Sequence, residues 1–270
     1  MKTLRIPFTI LCVLAISALS THAARLATAK VLEIKGTVTK YAAAGGQGPL
    51  NAGDILLQGD SVSATTLSSA KLIFSNGSEI TVEENTSFKL AKLWQDNFES
   101  GQSYEQLQAD PSKSQTLLEL NYGELGFHVK KLQEGSTFNI QTPLGTAAIR
   151  GTTGLAKLFY NAERGDFFLI VKNFDGLVDL ISRYIGEFDY GTGNVGDKGF
   201  NSGLSDDSSG PIPPRHTAVI RLNRSDPYFK DLFDQLKNYI PTDPPIGWIP
   251  LPAPQITPED PGVLVVSPEN

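Results

Sequence analysis

Between Ala29 and about Arg183 the side chains alternate in character at nearly every residue, and glycine-bearing turns interrupt the alternation at short intervals. A period of two places successive side chains on opposite faces of an extended chain, so the pattern prescribes strands rather than a helical bundle. Leu32, Ile34 and Val38 alternate with Glu33, Lys35 and Thr37. In "KLIFSNGSEITV", Asn76-Gly77 separates two apolar pieces, and both residues tolerate the positive φ of a type I′ hairpin. Leu125, Phe127 and Val129 repeat the alternation, as do Phe138 and Ile140. "GLAKLFY", "DFFLIVK" and "GLVDLIS" then read as three strands joined at Glu163-Arg164-Gly165 and Asp175-Gly176. The middle one is apolar on both faces, which predicts a central strand covered on both sides.

Outside this β region the chain changes composition. Residues 95–116 are polar and contain Pro111, which predicts a surface excursion, partly helical. Residues 185–214 form a Gly/Ser-rich loop, with seven glycines between 186 and 210. "HTAVIRL" reads as another strand. "SDPYFKDLFDQLKNYI" reads as a helix, with Ser225 as cap, Pro227 in the first turn and Asp226 at the positive dipole end. Its stripe of Phe229, Leu232, Phe233, Leu236 and Ile240 suits docking on the β-domain. Nine of the 17 prolines fall in 241–270, a proline-rich tail in which "GVLVV" is a candidate strand.

The first residues read "MKTLRIPFTILCVLAISALSTHAA". Lys2 and Arg5 precede an apolar run from Phe8 to Leu19, and small residues follow, so 1–23 is expected to be a signal peptide cut after Ala23. The expected location is periplasmic or secreted, with no membrane span after cleavage. The single cysteine, Cys12, lies in that segment, so the remaining chain must be stable without disulfides. The mature chain would carry 21 basic and 29 acidic residues, net −8. That balance argues against nucleic acid as a partner.

"TPLGTAAIRGTTGL", residues 142–155, carries the most specific local pattern. Thr142-Pro143 and Gly145 make a turn. Arg150-Gly151-Thr152 marks a corner, where the guanidinium is expected to clamp carbonyls freed by a bulge. With "GTVTKYAAAGGQGPLNAGDILLQGDSV", "AKLIFSNGSEITVEENTSFKL" and "LNYGELGFHV", this stretch resembles the FecR-type periplasmic domain family over about residues 31–182. The resemblance implies an elongated, mainly β domain, solenoid-like or a sandwich, that binds protein and performs no catalysis. Regulatory members carry a cytoplasmic anti-sigma segment and a membrane span first. Here the domain, 24–184, follows the leader directly, so the transcriptional role is not expected to carry over.

Chemistry-bearing clusters are few. His128 alternates with core positions and should face solvent, and His216 sits at a loop-to-strand junction; two histidines without cysteine make a poor zinc set. Glu83-Glu84 and Asp206-Asp207 are expected to be solvated or to diverge rather than to converge as a glycosidase pair. The glycine-rich loop lacks calcium-loop spacing. Asn76, Asn85 and Asn223 head glycosylation-type triplets, the first read as a turn and the third as a cap. Trp94 and Trp248, one in the excursion and one in the tail, give weak support for a sugar platform. Arg150, Gly151, Thr152, Asn76 and Gly77 are therefore read as architectural, with no catalytic residue, cofactor or metal. The expected role is a protein-binding or envelope-scaffold module, its partner another envelope protein or surface polymer. A signalling module with a separate membrane partner, and a carbohydrate-binding or carbohydrate-active protein, are the alternatives.

Overall fold

The computed structural model describes residues 27–98, 101–182, 187–190 and 208–240. The expected leader, most of the glycine-rich stretch, Asp206-Asp207, the proline-rich tail with its candidate strand, and Trp248 lie outside them. Two open sheets share one strand. The front sheet runs in space β4 (Ile55–Leu56), β1 (Ala29–Lys35), β6 (Ser69–Phe74), β7 (Glu79–Val82), the second half of β9 (Ser114–His128), β12 (Thr153–Asn161), β13 (Asp166–Asn173), β17 (His216–Leu222), β15 (Glu187–Tyr190). The back sheet runs β3 (Gln47–Pro49), β2 (Val38–Tyr41), β5 (Ser61–Ala64), β8 (Thr86–Gln95), the first half of β9, β10 (Thr137–Thr142), β11 (Gly145–Arg150), β14 (Leu177–Ser182), β16 (Ser208–Ile212). The mainly β class read from the periodicity is the observed one.

The chain passes repeatedly from one sheet to the other, and Gly36, Gly53, Gly59, Gly151 and Gly176, all at positive φ, stand at those crossings. The inward faces meet in one core. Phe74 of β6 packs edge-to-face on Phe138 of β10 with ring centroids 5.6 Å apart, joining the sheets. Phe88 and Phe167 are also fully buried. β9 is the common member: residues 114–122 pair with β8, residues 123–128 with β7 and β12. Gly123, at φ 96°, is where it changes sheet.

Several local expectations are corrected. In β1 the register slips between Val31 and Glu33, so Val31 and Ile34, not Leu32 and Ile34, face the core. The loop after β6 is not a type I′ pair. Phe74 and Ser78 bond across three residues, the Phe74 carbonyl accepts the Gly77 N–H, and only Gly77 is left-handed, at φ 81°. The boundaries of the excursion also move, because β8 runs through Gln95 and β9 begins at Ser114. Trp94 therefore lies on β8, half-buried, and the helical part of the excursion is one 3-10 turn, Tyr104–Gln106. Two strands, β15 and β16, fall within the range read as loop.

The C-terminal helix is shorter than its stripe suggested. α1 spans Phe229–Leu236, and Ser225 does not cap it. The Asn223 side chain instead accepts the Ser225 N–H, and Asp226 Oδ1 accepts the N–H of Tyr228 at 2.9 Å. Leu232 and Leu236 are buried, and Phe229 and Phe233 pack tilted or edge-on against Tyr160 and Phe167. The helix thereby closes the end of the sandwich beside the β12–β13 hairpin.

Candidate functional site

The corner at Arg150-Gly151-Thr152 is built differently from its sequence reading. Arg150 does not clamp carbonyls. Its side chain is 68% exposed and, among the described residues, pairs with Asp179 alone, at 3.6 Å. Thr152 holds the corner from inside: its hydroxyl lies 2.7 Å from Asn173 Oδ1 and 2.9 Å from Asp175 Oδ1. Asp175 also accepts the Thr153 N–H, and that bond, followed by the Thr152 hydroxyl and His128, holds its carboxyl below the usual range. Gly151 and Gly176 are both left-handed here, and a side chain on Gly176 would strike the Gly151 carbonyl at 2.6 Å. The corner is thus a backbone-to-backbone approach with a buried threonine inside. Arg150→Ala should change the urea-unfolding free energy by under about 1 kcal/mol, as exposed ion pairs do. Thr152→Ala should cost about 1–3 kcal/mol, since buried acceptors lose their donor.

Asn76 and Gly77 are also inside the molecule. Asn76 is 1% exposed; its Nδ2 donates to Ser114 Oγ, which donates to Asp110 Oδ2 at 2.7 Å. Asp110 in turn faces Gln95 Nε2. This buried chain ties the excursion to the β6–β7 turn, and it removes Asn76 from any surface role. Glu83 and Glu84 sit in the β7–β8 turn rather than on a strand, and Glu84 accepts the Leu67 N–H. His128 faces solvent and touches Thr153 Oγ1 at 2.9 Å. Among the described residues no group of three His, Cys, Asp or Glu could hold a metal, and no helix is long and apolar enough to cross a membrane.

What the structure brings together is a surface the sequence did not mark. β13 is central, as expected, but only its Phe167, Leu169 and Val171 face is buried. Its outward residues, Phe168 and Ile170, are half-buried, so the expected cover on both sides is absent among the described residues. They stand beside outward-facing Phe159 and Leu155 of β12 and Val219 of β17. Phe159 and Phe168 stack with centroids 5.5 Å apart and planes 19° apart. Charge is interleaved with these residues: Lys157, opposite Ile170, lies 5.7 Å from the Phe159 ring and 3.0 Å from Glu124, and Arg221 stands opposite Phe168.

At the far end of the β13–β17 pair this face meets a cleft of 390 Å³, lined by Lys172, Asn173, Phe174, Arg215, His216 and Thr217. Its floor is rigid. Asn173 is fully buried and donates to the carbonyls of Gly176 and Ile212, at 3.2 and 2.7 Å. His216 Nδ1 donates to the Pro214 carbonyl at 2.8 Å. Of these residues only His216 was singled out by sequence.

Residues 60–168 match the model of a family described as FecR protein. Over this stretch the chain is similar to FecR-type domains. No curated protein matches the chain. Two solved structures of a candidate anti-sigma factor from Parabacteroides distasonis are similar, at 15% and 14% identity with TM-scores of 0.37 and 0.36. Each alignment covers 62% of this chain, which spans little more than half of that protein, 56% and 55%. The matched FecR-type stretch runs from β5 into β13 and stops before the cleft residues; β14–β17 and α1 lie beyond it.

Proposed function

We propose that this chain is an exported, non-catalytic binding protein of the bacterial envelope, and that the outward face of β12, β13 and β17 is where it meets another envelope protein. The observation that carries the reading is the stacked Phe159–Phe168 pair with Ile170 and Val219, left without cover among the described residues. Aromatic and aliphatic side chains interleaved with cations, here Lys157, Lys172 and Arg221, suit a protein interaction site. The leader-like N-terminus supports export, and the FecR-type match supports a role in the envelope. The same match favours a second reading, in which the domain relays a signal with a separately encoded membrane partner.

A photo-crosslinking residue at Phe168 should yield one discrete heterologous adduct in intact cells, whereas the same group at Asn139 on the back sheet should yield none. Phe168→Asp should lower recovery of that partner at least tenfold, because an interface centre carries most of the binding energy, with little change in melting temperature. Equal adducts at both positions, or recovery of the tagged chain in the cytoplasm, would end this reading.

A further inference from the structure

The cleft at the end of the apolar face has a feature that packing alone does not explain. The Pro213 carbonyl accepts the His216 N–H at 3.2 Å, so residues 213–216 form a turn with Pro214 second and Arg215 third. Arg215 has φ 65°. That is type II geometry, whose third position normally holds glycine or asparagine. A long side chain there is held against a local conformational cost. The turn delivers the arginine to the cleft that Lys172 also lines; both side chains belong to exposed residues. Neither has a hydrogen bond or ion pair to its side chain among the described residues, although the whole chain is acidic, with 29 acidic against 23 basic residues.

We propose that this cleft recognises a carboxylate, and that its ligand is an acidic side chain of an extended peptide segment of the partner. The inference rests on the proposed use of the β12–β13–β17 face and names the chemistry found at one end of it. Two cations beside the buried, hydrogen-bonded Asn173 suit one carboxylate, with bidentate geometry available from the guanidinium. Phe174, 51% exposed, and the half-buried Ile170 and Val219 offer apolar contact to the neighbouring residues of such a segment. Nucleic acid or an acidic polysaccharide would need a longer cationic track, and the net charge of −6 opposes either.

Fluorescence anisotropy on the full chain tests this, with a short labelled peptide alternating Glu with Val and Thr, its Gln-for-Glu counterpart, and polygalacturonate. The Glu peptide should bind about tenfold or more tightly than the Gln peptide, and polygalacturonate should not compete. Lys172→Gln and Arg215→Gly should each weaken the Glu peptide by about tenfold, as loss of a charge-assisted bond does. Arg215→Gly should leave the melting temperature unchanged or raise it, since glycine relieves the turn. A fall in melting temperature would make Arg215 a structural residue and overturn the proposal. Equal binding of both peptides, with Phe168→Asp abolishing it, would also overturn it while leaving the face reading intact. Preference for polygalacturonate, unaltered affinity in both cleft variants, or no binding of either peptide would refute it too. The face reading would then be decided by the crosslinking result alone.

Discussion

Gly123→Ala should destabilise the protein by about 3 kcal/mol or more in urea unfolding, close to the upper end of single-substitution effects. Gly123 has φ 96°, a conformation that side chains with a β-carbon rarely adopt. An added methyl would also run into the Thr86 hydroxyl and backbone, and would lie 2.7 Å from the Asn85 carbonyl. Thr86 cannot simply withdraw. Its hydroxyl accepts the Glu124 N–H at 2.9 Å and lies beside the Glu84 and Glu124 carbonyls, so it fixes β8 to β9 at the point of crossing. The entropy that alanine removes from the unfolded chain offsets under about 1 kcal/mol. Gly126→Ala is the control on the same strand. Its added methyl would meet Thr81 at 3.6 Å, an ordinary contact, and the change should stay within about 0.5 kcal/mol. Equal effects of the two substitutions would show that the crossing does not depend on Gly123.

The second large effect is expected at Asp60, which is 4% exposed. One carboxylate oxygen accepts the Ala43 N–H at 3.0 Å; the other accepts the Leu57 N–H at 2.9 Å and meets Lys40 Nζ at 3.0 Å. A single buried group thereby gathers the β2–β3 loop, the β4 segment and β2. Asp60→Ala leaves those donors unpaired and should cost about 3–5 kcal/mol, as removal of one member of a buried charged pair does. Burial pushes this carboxyl up, but the donors from Leu57, Ala43 and Lys40 outweigh it, and the folded-state value lies below the ordinary one. A group lowered on folding stabilises the protein above its unfolded value and loses that contribution as the pH falls through the folded value. The stability gap between wild type and Asp60→Asn should therefore be widest near neutrality and narrow below about pH 4. A gap independent of pH would mean that shape, not charge, holds the site.

Periodicity made the strands visible, because each buries one face and alternates accordingly. Phe138 and Ile140, or Phe127 and Val129, could be placed in the core from sequence alone, and the stripe on α1 identified the docked helix. The sharing of β9 could not be read. Alternation is the same whether a strand serves the front sheet or the back, and Gly123 looks like any other turn residue until its neighbour Thr86 is known. Arg150 misled for a related reason: a charge in an apolar run draws notice, yet at the end of β11 it points outward. The corner is held by Thr152, Asn173 and Asp175, whose meeting depends on the β12–β13 pairing. The cleft was hidden in the same way, since Lys172 and Arg215 converge only through the β13–β17 register. One local signal was present. "PPRH" places arginine where a turn after proline ordinarily wants glycine, and that mismatch could have marked it.

The passage of β9 through both layers also sets how the molecule must assemble. β7 and β8, the inner strands of the β1–β8 half, pair with one flank of it, while β10 and β12 take the other flank, β10 by the parallel contact Thr137↔Gln115 to Gln141↔Glu119. Neither half of the chain can complete its hydrogen bonding before this strand is in place. Acquisition of structure should accordingly be late, slow and all-or-none, governed by closure over long sequence separations, and the two layers should melt as one cooperative body rather than peel apart.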